Sequence, residues 1–228
     1  MIIRERFERQ LNELREDVLH MGSLVESQLV MALEALDRFD TELAKRVFTM
    51  DNDINKARFD IEEKSFALIV TQQPAARDLR SVVAVMNIII DLERMGDQAK
   101  GIAKVIPHIG QASSLPHPPE LQQMGTDAAD MLHQALAAYA AGDVALAQSV
   151  AGRDDEVDAL YASAFSQIMQ HMAQVDDAKA VESAYEVLRV ARELERFADL
   201  ATNVAERVIY LVTGRMAEMN VDRGDLVG

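Results

Sequence analysis

Asp91-Leu92-Glu93-Arg94-Met95-Gly96-Asp97 returns 102 residues later as Glu193-Leu194-Glu195-Arg196-Phe197-Ala198-Asp199. Each copy sets two acids four positions apart, Glu93 with Asp97 and Glu195 with Asp199. On a helix such residues share one face, with Cβ atoms roughly 5–6 Å apart. Carboxylates held that close repel unless something positive stands near them. The copies recur within a chain of 228 residues, so the protein reads as a doubled module.

The flanking sequence repeats with the acids. Val85, Ile88, Leu92, Met95, Ala99, Ile102 and Ile106 form a heptad seam, and Val187, Val190, Leu194, Phe197, Ala201, Val204 and Val208 reproduce it. Upstream, Phe7, Leu11, Leu14, Val18, Met21, Val25, Leu29, Ala32 and Leu36 mark a long amphipathic first helix. Asp37 to Thr41 break it, with Asp40 or Thr41 placed to cap a second helix running through Val47, Ile54, Ile61 and Leu68. That helix is expected to stop near Gln73, with Pro74 opening the third. After it, Met124-Gly125 answers Met21-Gly22, Gly142-Asp143 answers Phe39-Asp40, and Val157 answers Ile54.

Four of the five prolines lie between Pro107 and Pro119, which marks the boundary between the copies. His108 and His117 fall in this linker. The predicted fold is all-α: six helices in two tandem antiparallel three-helix bundles. The expected division is 1–110 for the first bundle, 111–119 for the linker, 120–214 for the second bundle and 215–228 for a polar, frayed tail.

Composition narrows the function classes. Ala, Leu, Glu and Met are plentiful, Gly and Pro number 10 and 5, and Cys is absent. That balance favours helix and excludes disulfides, thiolate metal sites and Cys nucleophiles. A formal charge of −15 repels nucleic acid and attracts cations or a basic protein surface. The N-terminus has no apolar leader core, and no stretch approaches 18 uninterrupted apolar residues. The expectation is a cytoplasmic protein with no direct membrane insertion.

Antiparallel register gathers the acids. From a turn near Gln73, Asn55 and Asp51 lie 18 and 22 residues back, and Glu93 and Asp97 lie 20 and 24 on. Equal rise along facing helices brings the two pairs to nearly one depth. From a turn near Asp176, Asp158 and Asp154 likewise meet Glu195 and Asp199. Two oxygen clusters result: Asp51, Asn55, Glu93 and Asp97 in one bundle, Asp154, Asp158, Glu195 and Asp199 in the other. Such oxygen-only sets suit a divalent cation, whose identity (Fe, Zn, Mn or Mg) the residues leave open. The competing reading is a solvated acidic stripe paired with Arg94 and Arg196.

Other motifs fall away. Asp51-Asn52-Asp53-Ile54-Asn55 with Glu62 imitates an EF-hand loop, but Lys56 stands where the turn requires Gly. A di-iron carboxylate bundle needs Glu-x-x-His twice, and this chain has none. His20, His133 and His171 lie on helices without a repeated partner. No Gly-rich phosphate loop or Ser nucleophile elbow is present, so no catalytic constellation is seen.

The paired signatures, with Asp51-Asn52-Asp53-Ile54-Asn55, Gln73-Pro74 and Asp78-Leu79-Arg80, resemble the PhoU family of bacterial phosphate-transport regulators. The resemblance covers nearly the whole chain. It implies two three-helix bundles, a homodimer, and multinuclear metal sites on the acid-xxx-acid pairs. It also implies a non-enzymatic negative regulator of the phosphate-starvation response, linking a phosphate ABC transporter ATPase to a sensor histidine kinase. The chain departs from the family pattern at Asn55, at Phe197-Ala198, and at Gln98 and Leu200. A metal-storage or redox carboxylate bundle is the alternative. A histidine phosphotransfer bundle is a third reading.

Overall fold

Helix signals in the sequence become helices with the expected caps. A computed structural model describes residues 2–109, 116 and 118–215. The helices are α1 (Ile2–Arg38), α2 (Thr41–Gln72), α3 (Arg77–Ile109), α4 (Pro119–Ala141), α5 (Val144–Ala151), α6 (Asp154–Gln174) and α7 (Ala178–Thr213). Asp40 caps α2, its Oδ1 accepting from the amides of Glu42 and Leu43, both at 2.9 Å. Asp143 repeats this at α5, accepting from Ala145 at 2.9 Å and Leu146 at 3.1 Å. The residue before each cap is left-handed, Phe39 at φ 51° and Gly142 at φ 66°. Glycine adopts that conformation without strain, whereas Phe39 meets a penalty of about 1 kcal/mol.

Three boundaries differ from expectation. Pro74 does not open α3; it stands in the connection between α2 and α3, and Arg77 is the first residue of α3. Pro107 does not end α3; it lies inside that helix, which runs to Ile109 and so carries His108. His117 and residues 216–228 lie outside the described set. The fifth of the six expected rods is in two pieces, because Gly152 and Arg153 turn the chain between α5 and α6. Asp154 thereby becomes the first residue of a helix instead of an interior one.

Helices α1, α2 and α3 pack on one another, as do α4, α6 and α7 with α5 against α7. The two bundles are joined mainly along α3 and α7, and secondarily along α1 and α4. One continuous cluster of buried apolar side chains runs through both, from Phe7 and Val18 to Val204 and Val208. The copies thus share a core instead of standing apart on the proline-rich linker. The shared contact keeps the symmetry of the repeat. A Cβ added to Gly22 would fall 2.6 Å from a Leu136 methyl, and one on Gly125 would fall 2.9 Å from a Leu33 methyl. Each bundle offers one glycine to one leucine of the other, a two-fold arrangement within one chain. Among the described residues no helix is long and apolar enough to cross a membrane.

Candidate metal centre

The first cluster forms around cations of the chain itself. Asp51, on α2, is 6% exposed. The Lys100 ammonium, one turn beyond Asp97 on α3, donates to Asp51 Oδ2 at 2.6 Å and to Asp97 Oδ1 at 2.9 Å. Burial works against the lysine's charge, but these two hydrogen bonds prevail and hold its pKa above the ordinary lysine value. Asn55 donates to the Asp51 carboxylate at 3.2 Å and to the Asp51 backbone carbonyl at 3.0 Å. Glu93 turns instead toward Arg58, 3.9 Å away, which also faces Glu62. The four expected residues of site one are therefore neighbours, but Lys100 and Arg58 offset two of their three negative charges. The signal for both was present in helical spacing: Lys100 is three residues after Asp97, and Arg58 three after Asn55.

The second cluster differs at these two positions. Thr202 takes the place of Lys100, and Tyr161 takes the place of Arg58. The Thr202 hydroxyl is buried and, among the described residues, has no hydrogen-bond partner. Asp154 begins α6, where the helix N-terminus favours negative charge, and Asp158 follows one turn on. Across from them on α7 stand Glu195 and Asp199. Burial pushes Asp199 up to about 7, with Glu195, Asp154 and Asp158 adding repulsion and Asp154 a hydrogen bond. Glu195 is likewise raised by burial and by Asp158 and Asp154, against the pull of Arg192 and Arg196. Asp158 is raised by burial and by Asp154. All four expected acids of site two thus feel one another.

Among the described residues no three His, Asp or Glu side chains already form a metal-holding group. The donor chemistry separates the sites all the same. Site two offers oxygen ligands with excess negative charge, a fit for a hard divalent cation. At site one a cation would have to displace Lys100 from between Asp51 and Asp97. His133 joins neither site; its Nδ1 lies 3.1 Å from Glu26 Oε1.

A further acidic pair lies where the bundles meet. Asp91 is 7% exposed, and burial pushes it up to about 6, opposed by Arg207 of α7 and Arg94 and assisted by Glu206. Its repeat partner Glu193 is raised by burial, with Lys104 of α3 among the cations opposing the shift. A Cβ on Gly101 would lie 2.8 Å from the Glu193 carboxyl carbon. Both residues head the repeated motifs, but only the packing of α3 on α7 shows that they face the other bundle.

Comparison with known proteins agrees with the doubled architecture. The PhoU domain matches twice, over residues 18–106 and 121–208. A phosphate-specific transport system accessory protein PhoU homolog of Clostridium acetobutylicum is 36% identical over 218 residues, covering 95% of this chain and 99% of its own. The homolog of Pseudomonas aeruginosa is 36% identical over 213 residues, covering 93% and 87%. Among solved structures, PhoU of Pseudomonas aeruginosa superposes with a TM-score of 0.87 at 36% identity, over 92% of this chain and 100% of that one. The phosphate transport system regulatory protein PhoU of Streptococcus pneumoniae gives 0.84 at 32% identity, over 93% and 100%. Two copies of the domain, relatives matched along nearly their full length and the same helical architecture in solved members show that this chain belongs to the PhoU family.

Proposed function

We propose that this protein is a non-enzymatic, cytoplasmic negative regulator of the phosphate-starvation response. It acts by docking between the ATPase of a phosphate ABC transporter and a sensor histidine kinase. The observation that carries this reading is full-length similarity to proteins named as phosphate-specific transport system accessory proteins. Deleting the gene tests it. A phosphate-repressed reporter is expected to switch on in phosphate-rich medium. A reporter that stays silent, with the transporter intact, removes the regulatory reading.

The same proposal assigns a divalent cation to the acid pairs, held first at site two by Asp154, Asp158, Glu195 and Asp199. A bound cation would supply positive charge between α6 and α7, where the acids otherwise repel. Asp51, Asn55, Glu93 and Asp97 form the weaker site, because Asn55 leaves three carboxylates where site two has four and because Lys100 and Arg58 already pair with them. With neither Cys nor paired His among the ligands, supply decides whether Fe, Zn, Mn or Mg is taken.

The proposed assembly is a homodimer. Phe59, Phe66 and Val70 of α2 are 60%, 52% and 72% exposed, and Leu79, Val83 and Ile90 of α3 are 38%, 37% and 43% exposed. In antiparallel register these line up as one apolar stripe, the kind of surface that marks an interface. Light scattering after gel filtration is expected to give twice the 25.3 kDa chain mass. A monomer at micromolar concentration rules the dimer out.

A further inference from the structure

The repeat builds the same junction twice, and the two have diverged in charge. In each, the starts of two helices from one bundle meet the ends of two from the other. One junction is a cavity of about 510 Å³ walled by Leu36, Phe39, Ile109 and Pro118, with Glu34 and Asp37 as its charged lining. The other is a cavity of about 230 Å³ with Arg15, Arg77, Asn12 and Ser81 in its wall. Pro118 stands in the first where Arg15 stands in the second, and Val187 where Val85 stands. A common origin therefore yields one apolar, acidic junction and one basic, hydrogen-bonding junction.

The basic junction is held in shape. Arg15 Nη2 donates to the Tyr139 carbonyl at 3.0 Å and to that of Ala140, at the end of α4. Its guanidinium stacks 5.8 Å from the Tyr139 ring centre. These contacts use part of a group that carries five donors. Arg77 begins α3 and is exposed. Among the described residues neither arginine has a carboxylate at ion-pair distance. Asp78, next to Arg77 in sequence, pairs with Arg4 at 2.5 Å, and Asp143, beside the cavity residue Gly142, caps α5. Two arginines facing one cavity with no counter-charge at ion-pair distance among the described residues, in a chain of net charge −15, mark a place where an anion is wanted.

We propose that this cavity binds a small phosphate-type oxyanion, gripped by Arg15 and Arg77, with Ser81 and Asn12 hydrogen-bonding beside them. Guanidinium forks match tetrahedral oxyanions in geometry as well as charge. At ~30 Å³ per water the cavity has room for about eight waters, enough for one such ion with part of its hydration. The ligand touches α1 and α3 of one bundle and the ends of α4 and α7 of the other, so it braces the two halves together. The inference is independent of the acid clusters and of the regulatory reading.

Calorimetric titration of inorganic phosphate into the full chain, in EDTA and at fixed ionic strength, tests it, with thermal melts alongside. EDTA prevents phosphate from binding through a metal. Phosphate is expected to bind and to raise the melting temperature by about 2–4 °C at saturation. Glycerol 2-phosphate serves as the second arm. Equal or tighter binding of that ester assigns the site to phosphate monoesters, and weaker binding assigns it to the free ion. Arg77→Ala, checked as folded by circular dichroism, is expected to weaken binding at least about tenfold, the scale of one lost charge-assisted hydrogen bond. Arg15→Lys is expected to weaken it less. Glu34→Gln, in the acidic junction, is expected to leave it unchanged. The proposal is overturned by no binding at ~10 mM phosphate, a concentration far above a useful affinity. Equal affinity in Arg77→Ala, or an equal melting shift from chloride, also overturns it.

Discussion

Asp91 shows how far one residue can depart from its solution chemistry. Its carboxyl is packed between the two bundles, facing Arg207 and Glu206 of α7 and flanked by Arg94 of its own helix. Desolvation outweighs the arginines, so the folded protein holds the proton up to about pH 6, above the ordinary 3.8. Because the folded pKa is raised, the stabilising contribution of this group is complete below about pH 4 and is lost as the pH rises through 6. At pH 7.5 the ionised side chain therefore costs stability, on the order of 3 kcal/mol for a shift of this size. Asp91→Asn is expected to raise the melting temperature at pH 7.5, with the gain shrinking toward pH 5. Melts of both proteins across that range check it, and a gain of equal size at both ends would contradict the assignment.

At the scale of the element, the ends of helices decide where chemistry falls. Gly152 and Arg153 split the fifth rod, and the split makes Asp154 the first residue of a helix, one turn before Asp158. The turns before α2 and α5 show the same geometry met by different residues, Phe39 in one and Gly142 in the other. Gly142→Ala is expected to destabilise the protein by about 1 kcal/mol, since alanine resists φ 66°. Phe39→Gly is expected to recover strain of similar size, less the packing lost with the ring. Denaturant unfolding of the two variants measures both, and a stabilised Gly142→Ala protein would show that the turn relaxes. The helical residues were legible through their 3.6-residue period. The break at Gly152 was less so, because the apolar pattern continues through Val150 and Val157 while the backbone turns between them.

For the whole molecule, the sequence already makes the acid clusters unequal, with Asn55 in site one where site two has Asp158, and the structure widens the difference by setting Lys100 and Arg58 among the acids of site one. Metal removal should show it. With metal bound, chelation is expected to lower the melting temperature, because the acids of site two then repel across α6 and α7. Glu195→Ala with Asp199→Ala is expected to remove more metal than Glu93→Ala with Asp97→Ala, by elemental analysis of protein purified without chelator. In EDTA the site-two pair is expected to be stabilising at pH 8, since the raised Asp199 and Glu195 then carry charge that the fold disfavours. Loss of the same metal from both double variants would show that Lys100 yields its place readily.

The sequence by itself determined the helices, the doubling, the level at which the acids meet and the place of the cap before the second helix, at Asp40 or Thr41, of which the structure uses Asp40. These depend on spacing within a few turns of one chain, where period, cap chemistry and rise per residue are local properties. Tertiary structure decided which charges neutralise which. Lys100 could have pointed to solvent; only the approach of α2 to α3 brings it between Asp51 and Asp97. Site two keeps its excess charge because Thr202 and Tyr161 occupy the equivalent positions, a difference that gains meaning only once α6 faces α7. The packing of α3 on α7 and of α1 on α4 likewise buries Asp91 and Glu193 and makes two unlike cavities from one repeated junction. Electrostatic energy depends on distance and dielectric across the whole fold, and neither quantity is written in the order of residues along the chain.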